Sequence, residues 1–307
     1  MTGHVGPEYP LTKALIAVFM VASSQAQAMT VFACEPEWAA LTKTLVPEAT
    51  VRTATTHLQD PHHIEARPSL IAQLRGADFA ICTGAELEAG WLPMLQDRAG
   101  NPKVQNGRPG MFYAAQHVDL IDPFKGTVTP FSGDVHAQGN PHFHTDPRRV
   151  MLVAKALAGR LGQLFPDKKT QVDQNLVKFE DELSRRIVVW EKQAAPLKGR
   201  TVITQHASFG YVWAWLGIKP IADLEPRPGV PPTASHLERV IALSKTQQPV
   251  AIVIAQHHDP KPGRWLAKSM DMERKLLILP ATVSDEQPDS IIRWFDQLVA
   301  QLSSLAK

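Results

Sequence analysis

The stretch KKTQVDQNLVKFEDELSRRIVVWEKQA, residues 168–194, contains neither glycine nor proline. At 1.5 Å per residue a helix of that length is a rod of roughly 40 Å, enough to cross a whole domain. Phe165-Pro166 interrupts the chain just before it, and Pro196-Leu197-Lys198-Gly199 ends it. Its charged residues Lys178, Glu180, Asp181, Glu182, Arg185 and Arg186 read as a solvated face, and nothing in them requires a nucleic-acid contact. A coiled coil would need the heptads to persist further than they do.

On either side of this segment, short β-branched runs alternate with amphipathic stretches, the pattern of βα units and parallel sheets. Upstream lie TVFAC (30–34), EPEWAALTKTL (35–45), TVRTAT (50–55), a histidine loop, PSLIAQLRGA (68–77), DFAIC (78–82) and AELEAGWLPML (85–95), the last expected as a helix. Residues 99–147 are rich in Gly, Pro, Asn and His and read as loops with at most short strands. Asp146-Pro147 then opens a helix to about Leu164. Downstream, TVIT, a helix through FGYVWAWLG, KPIADL, a helix from Ser235, VAIVIA, a helix from Arg264, LLILP and a last helix from Asp289 repeat the alternation. The expected fold is α/β: two lobes with parallel four-stranded sheets flanked by helices, residues 29–166 and 199–307, joined by one long rigid helix at 167–198. No internal repeat is visible in the sequence.

The 307 residues, 44% hydrophobic and 20% charged, are those of an ordinary globular chain of about two domains. Lys+Arg 32 against Asp+Glu 30 leaves only +2, so no sequence-wide basic field attracts nucleic acid or an anionic membrane. Lys13, the apolar run ALIAVFMVA (14–22) and Ala26-Gln27-Ala28 together read as a secretory signal, residues 1–28, with cleavage expected after Ala28. The run is too short to span a bilayer. The mature chain is therefore expected in a periplasm, where an oxidising environment lets a pair of cysteines persist as a disulfide. Cys34 and Cys82 end two strand candidates. They bridge if those strands are sheet neighbours, and are otherwise two buried thiols.

Histidine is the unusual count, at 12. Open α/β sheets bind ligands beyond the carboxyl ends of their strands, and the histidines collect there. His57, His62 and His63 follow TVRTAT, His206 follows TVIT, and His257 and His258 follow VAIVIA. His136, His142 and His144 lie in the loop before the helix from Pro147. Imidazoles from both lobes can meet in one cleft, and three such nitrogens with one further ligand suit tetrahedral Zn²⁺.

The ordered set Asp60-Pro61-His62-His63-Ile64-Glu65 with Pro68-Ser69, then Gly84-Ala85-Glu86-Leu87-Glu88, Asn140-Pro141-His142, and His206-Ala207-Ser208-Phe209-Gly210-Tyr211 resembles the zinc/manganese solute-binding proteins of ABC importers. The likeness runs through the mature chain in the same order, long helix included. It implies His62, His142 and His206 as metal ligands, with His63 and His144 as adjacent spares. In many such proteins a carboxylate after a late strand is the fourth ligand. Asp285 is the occupant the resemblance suggests, a helix-capping or solvated acid is the competing reading, and Glu86, His257 or water are the other choices. The long His/Asp-rich loop of some zinc members is reduced to residues 133–140, where Asp134 and His136 remain. Asn140 stands where Asp often precedes Pro-His, which puts one orienting hydrogen bond in question.

The implied function is a periplasmic receptor that captures Zn²⁺ as cargo and delivers it to a membrane permease, with a metallochaperone as a further partner left open and a monomer expected. Three neutral imidazoles favour Zn²⁺ over Mn²⁺, which prefers oxygen donors; the Mn²⁺ receptor is the alternative. A stiff connector implies only modest closure. Two other classes compete. A His₃ zinc hydrolase has the same donor set but no His-Glu-x-x-His, leaving only Glu65 or Glu86 as a base. A thiol-disulfide protein is disfavoured because Cys34 and Cys82 are not a Cys-x-x-Cys pair. Tyr211, Trp213 and Trp215 read as core, and PRPGVPP (226–232) as a stiff loop near the cleft mouth or a permease-facing surface.

Overall fold

The computed structural model describes residues 1–4, 6, 28–127 and 132–306. The apolar run expected as a signal lies outside the described residues. Among those described, no helix is long and apolar enough to cross a membrane.

Two sheets carry the fold. The first holds β1 (Thr30–Ala33), β2 (Thr50–Thr53), β3 (Phe79–Cys82) and β4 (Met111–Tyr113), and the second β5 (Thr201–Gln205), β6 (Lys219–Asp223), β7 (Ala251–Ala255) and β8 (Leu276–Leu279). All pairings are parallel, in the orders β2-β1-β3-β4 and β6-β5-β7-β8. The two lobes thus share one topology although no repeat shows in the sequence. Around the first sheet run α1 (Pro36–Leu45), α2 (Pro68–Arg75) and α3 (Leu92–Ala99). Around the second run α6 (Gly210–Leu216), α7 (Ala234–Gln247), α8 (Lys261–Ser269) and α9 (Ser290–Ser303). Between them lie α4 (Pro147–Leu164) and α5 (Lys169–Ala194).

Strand periodicity decides which side chains face which layer. Val31 and Ala33 join a core that faces the long helix, whereas Phe32 packs with Leu70, Leu74 and Leu95 on the outer face. Likewise Val202, Ala251 and Val253 face inward, and Ile203, Ile252 and Ile254 pack outward with Leu237 and Leu266. The inward core is continuous. It passes from Val31 and Trp38 through Phe179, Leu183 and Trp190 of α5 to Val253 and Phe295.

Helix α5 buries Val172, Phe179, Leu183, Trp190 and Ala194, an apolar stripe along one side. Its opposite side carries exposed pairs such as Arg185–Asp181 and Arg186–Glu182, the solvated face expected. Tyr211, Trp213 and Trp215 are buried in the core. Cys34 and Cys82, at the ends of neighbouring β1 and β3, form a disulfide with 4.7 Å between their Cα atoms.

One helix expectation needs correction. AELEAGWLPML is helical only from Leu92. Gly84, Ala85 and Glu86 take φ of 79°, 50° and 68°, and left-handed backbone cannot continue a right-handed ladder. The Glu88 carboxylate holds this turn by accepting the N–H groups of Thr83 (2.7 Å) and Gly84 (3.0 Å).

Candidate metal centre

His62 comes from the loop after β2, His142 from the loop before α4, and His206 directly follows β5. All three are buried, and one ring nitrogen from each lies within 4.8 Å of the other two. The His142 and His206 Nε2 atoms are 3.3 Å apart. The His62 ring centre sits 5.4 Å from that of His142 and 5.3 Å from that of His206. Two nitrogens bound tetrahedrally to one Zn²⁺ at ~2.0–2.1 Å stand about 3.3–3.4 Å apart, so the His142–His206 spacing is that of a coordination edge.

Each ring is aimed by a specific local device. In Asp60-Pro61-His62 the Asp60 Oδ1 accepts both the His62 backbone N–H (3.0 Å) and its ring Nδ1–H (2.7 Å), which leaves Nε2 free for the cleft. His206 sits in left-handed backbone, φ 62°, which turns its ring off the strand end into the cleft. Its N–H donates to Asp223 Oδ1 (3.0 Å), and its Nδ1 faces Glu225 Oε2 at 3.0 Å with both side chains buried. Asn140 Oδ1 accepts the N–H of His142 (2.9 Å) while its Nδ2 donates to the Ala207 carbonyl (2.9 Å). The first of these bonds holds the His142 backbone rather than its ring. The second one, which ties the His142 loop to the His206 turn, needs an amide and not an acid. A Cβ at Gly210 would lie 2.8 Å from Asn140 Nδ2, so a larger residue there would displace the Asn140 amide from its bonds.

A fourth imidazole lies against His62. His136 Nε2 lies 3.1 Å from His62 Nε2. Its loop is held by Glu86 Oε2, which accepts the Ala137 N–H at 2.7 Å, and by the Pro228 carbonyl, which accepts the Asp134 N–H at 3.0 Å. The PRPGVPP loop thus meets residues 133–134 at the cleft mouth. A cavity of about 280 Å³ opens beside the cluster, bordered by Phe124, His136, His142, His206, Arg227 and Pro228.

The electrostatics divide the rings. Burial, reinforced by the neighbouring His206 and His62, holds His142 well below the ordinary imidazole value. Burial likewise brings His136 down to about 4. Burial also works against a proton on His206, but the Glu225 hydrogen bond and charge, with Asp223 and Asp60, outweigh it and raise His206 above the ordinary value. Burial acts to raise Asp60 and Glu225 too, yet their histidine partners hold both below the usual carboxylate range. Burial thus favours the neutral form of His142 and His136, whereas the acids around His206 favour its proton.

The sequence pattern of the family described as "ZnuA: Zinc-uptake complex component A periplasmic" matches residues 31–305. The chain belongs to this family. It is 23% identical over 258 residues, 80% of this chain and 81% of the other, to the "High-affinity zinc uptake system protein ZnuA" of Yersinia pestis. Its fold is similar to "Crystal structure of ZnuA", with a TM-score of 0.72 at 21% identity over 91% of this chain and 98% of that one. It is also similar to the laminin-binding protein Lmb of Streptococcus agalactiae, titled as bifunctional with adhesin and metal transporting activity (TM-score 0.73, 20% identity, 92% and 100% covered).

Several sequence candidates fall elsewhere. Asp285 is outside that group: it pairs with Arg293 (2.8 Å), accepts the Gln287 N–H and holds the Ser290 hydroxyl at the start of α9, so it binds side chains of that helix and neither caps its backbone nor joins the three histidines. Glu86 is exposed and spent on Ala137. His63 is exposed beside Asp134, and half-buried His57 borders a different cavity, with Asp285. His144 turns back into the protein, its Nε2 on the Ala281 carbonyl (2.9 Å) and its Nδ1 3.4 Å from Glu37. Spacing two from His142 does not bring both rings to the cleft, because Phe143–Thr145 form a tight 3₁₀ turn rather than a strand. His257 groups with His258 and Asp60 instead of the central three.

Proposed function

We propose that the chain is a receptor that captures Zn²⁺ through the Nε2 atoms of His62, His142 and His206, with the fourth position left to water, and delivers it to an importer permease. The observation that carries this reading is the meeting of buried ring nitrogens from separate loops of both lobes at coordination spacing. Three imidazole donors select Zn²⁺ over Mn²⁺. The lobes are residues 29–166 and 199–307 with 167–198 as connector, and cleavage after Ala28 would release the mature protein.

The hydrolase reading is weaker, because the acids beside the cluster are already engaged. Asp60 orients His62, Glu225 orients His206, and Glu86 holds the Ala137 N–H. Asp134, within 4.8 Å of the Asp60 and His62 ligand atoms, faces His63 at 3.5 Å and is the carboxylate held least firmly, and Glu65 is exposed.

The deciding experiment measures zinc affinity by competition with a chromophoric chelator. The tight step is expected to weaken in His142→Ala by more than the ~10–100-fold that loss of an orienting partner costs. Unchanged tight binding in that variant refutes the site, and ester or phosphoester turnover by the zinc form, lost in the variant, would favour the hydrolase.

A further inference from the structure

Beside the buried cluster, Asp60, His257 and His258 bring one carboxylate oxygen and two ring nitrogens within 4.8 Å of one another. Asp60 belongs to the first lobe and the two histidines to the loop after β7, so this group also spans the cleft. All three are half-buried. Successive residues of an extended strand would point their rings to opposite sides. Here the His258 N–H donates to the Ala255 carbonyl at 3.0 Å, closing a turn that brings the two ring centres to 4.3 Å.

The His258 Nε2 is buried and has no hydrogen-bond partner. A buried ring nitrogen is rarely left without a partner, and the nearby donors make an ion the partner it lacks. Two imidazoles and one carboxylate, with a position left for water, form the half-open donor set that Zn²⁺ accepts.

We propose that Asp60, His257 and His258 form a second site for a zinc-class divalent cation at the cleft mouth. The site is coupled to the buried one in two ways. Asp60 Oδ1 holds the His62 ring, and the His258 ring centre is 5.3 Å from that of His206. An ion here stands one imidazole away from the buried cluster and passes inward by ligand exchange; this staging role rests on the receptor reading above, whereas the site itself does not. Its half-buried donors and open position make it the weaker of the two.

Zinc titration of three forms tests it. The wild type is expected to take two ions per chain, one tightly and one more weakly. His257→Ala/His258→Ala is expected to take one, with the tight step unchanged, which also shows that this variant is folded. His142→Ala/His206→Ala is expected to lose the tight step and keep the weak one. A wild type saturated by one ion, or a His257→Ala/His258→Ala chain that still takes two, overturns the second site. Persistence of the tight step in His142→Ala/His206→Ala would sink the receptor reading and leave the second site to be judged on the other variant. Stopped-flow loading of the tight site should slow several-fold in His257→Ala/His258→Ala, and an unchanged rate overturns the staging role.

Discussion

Replacing Glu225 by glutamine tests the electrostatics of the cluster more sharply than removing a ligand. The carboxylate lies 3.0 Å from His206 Nδ1 with both side chains buried, so its charge is poorly screened and does two opposing things. It aims the ring and makes Nε2 a stronger donor, which raises metal affinity; loss of such a partner costs ~10–100-fold, or about 1.4–2.7 kcal/mol. It also raises the pKa of His206, so the ion must displace a proton from Nε2 at pH values where a free imidazole, at about 6.5, would already have lost it. The sign follows directly. At pH 8, the alkaline end of the range, the proton competes least with the ion in both forms, and Glu225→Gln should bind zinc ~10–100-fold more weakly than wild type. As pH falls, the wild type loses affinity first, because its His206 protonates at higher pH, and the gap between the forms should narrow. His142 and His136 do not obscure this, since burial keeps both below the ordinary range. Chelator competition at pH 8, 7, 6 and 5.5, corrected for the chelator's own titration, reads the gap. A gap that is absent at pH 8, or that widens in acid, refutes the reasoning.

Three further outcomes follow from the same contacts. Burial pushes Glu88 up to about 7, and burial with the charges of Glu88 and Glu37 raises Glu35 well above 4.5. Raised carboxyl pKa values contribute stability that is complete below about 4.5 and is lost as pH rises through about 7. The urea midpoint of the metal-free protein should therefore fall between pH 5 and 8, with a shallower fall in Glu88→Gln. The Cys34–Cys82 bond closes a loop of 48 residues, so Cys34→Ala/Cys82→Ala should lose up to about 4 kcal/mol in urea unfolding relative to the oxidised chain. Asn140→Asp removes the donor to the Ala207 carbonyl and turns a carboxylate toward it, and a loss of about 1–3 kcal/mol is expected in the same assay.

The parts of this molecule that could be read from the sequence are those set by local periodicity. An unbroken helical pattern bounded by prolines gave α5 to within a residue, and short β-branched runs between amphipathic stretches gave most of the strands. Strand ends gathered His57, His62, His63, His206, His257 and His258 at the cleft, because parallel strands deliver their carboxyl ends to one edge, but only the family resemblance singled out His62, His142 and His206. Failures came where a side chain, not a period, decides the backbone. The Glu88 carboxylate captures the Thr83 and Gly84 amides and holds a left-handed turn that composition alone renders as helix. Asp285 reads equally well as ligand or cap until Arg293, eight residues on, is seen to claim it.

His136 marks the limit of such reading. Its loop has no period, and what brings its ring to His62 is a set of distant contacts, Glu86 on the Ala137 amide and Pro228 on the Asp134 amide. These contacts also bear on how an ion would enter and leave. The inward core is continuous from Val31 through Trp190 to Phe295, so swinging one lobe away from the other would expose close-packed apolar surface at about 25 cal/mol per Å². The bond between Asp134 and Pro228 joins two loops at the mouth, and a single amide–carbonyl bond contributes only about 0.5–1.5 kcal/mol. The least costly route to the buried nitrogens therefore parts those loops and leaves the lobes in place. His136 would ride with the loop that moves, while His142 and His206 stay fixed by Asn140, Asp223 and Glu225.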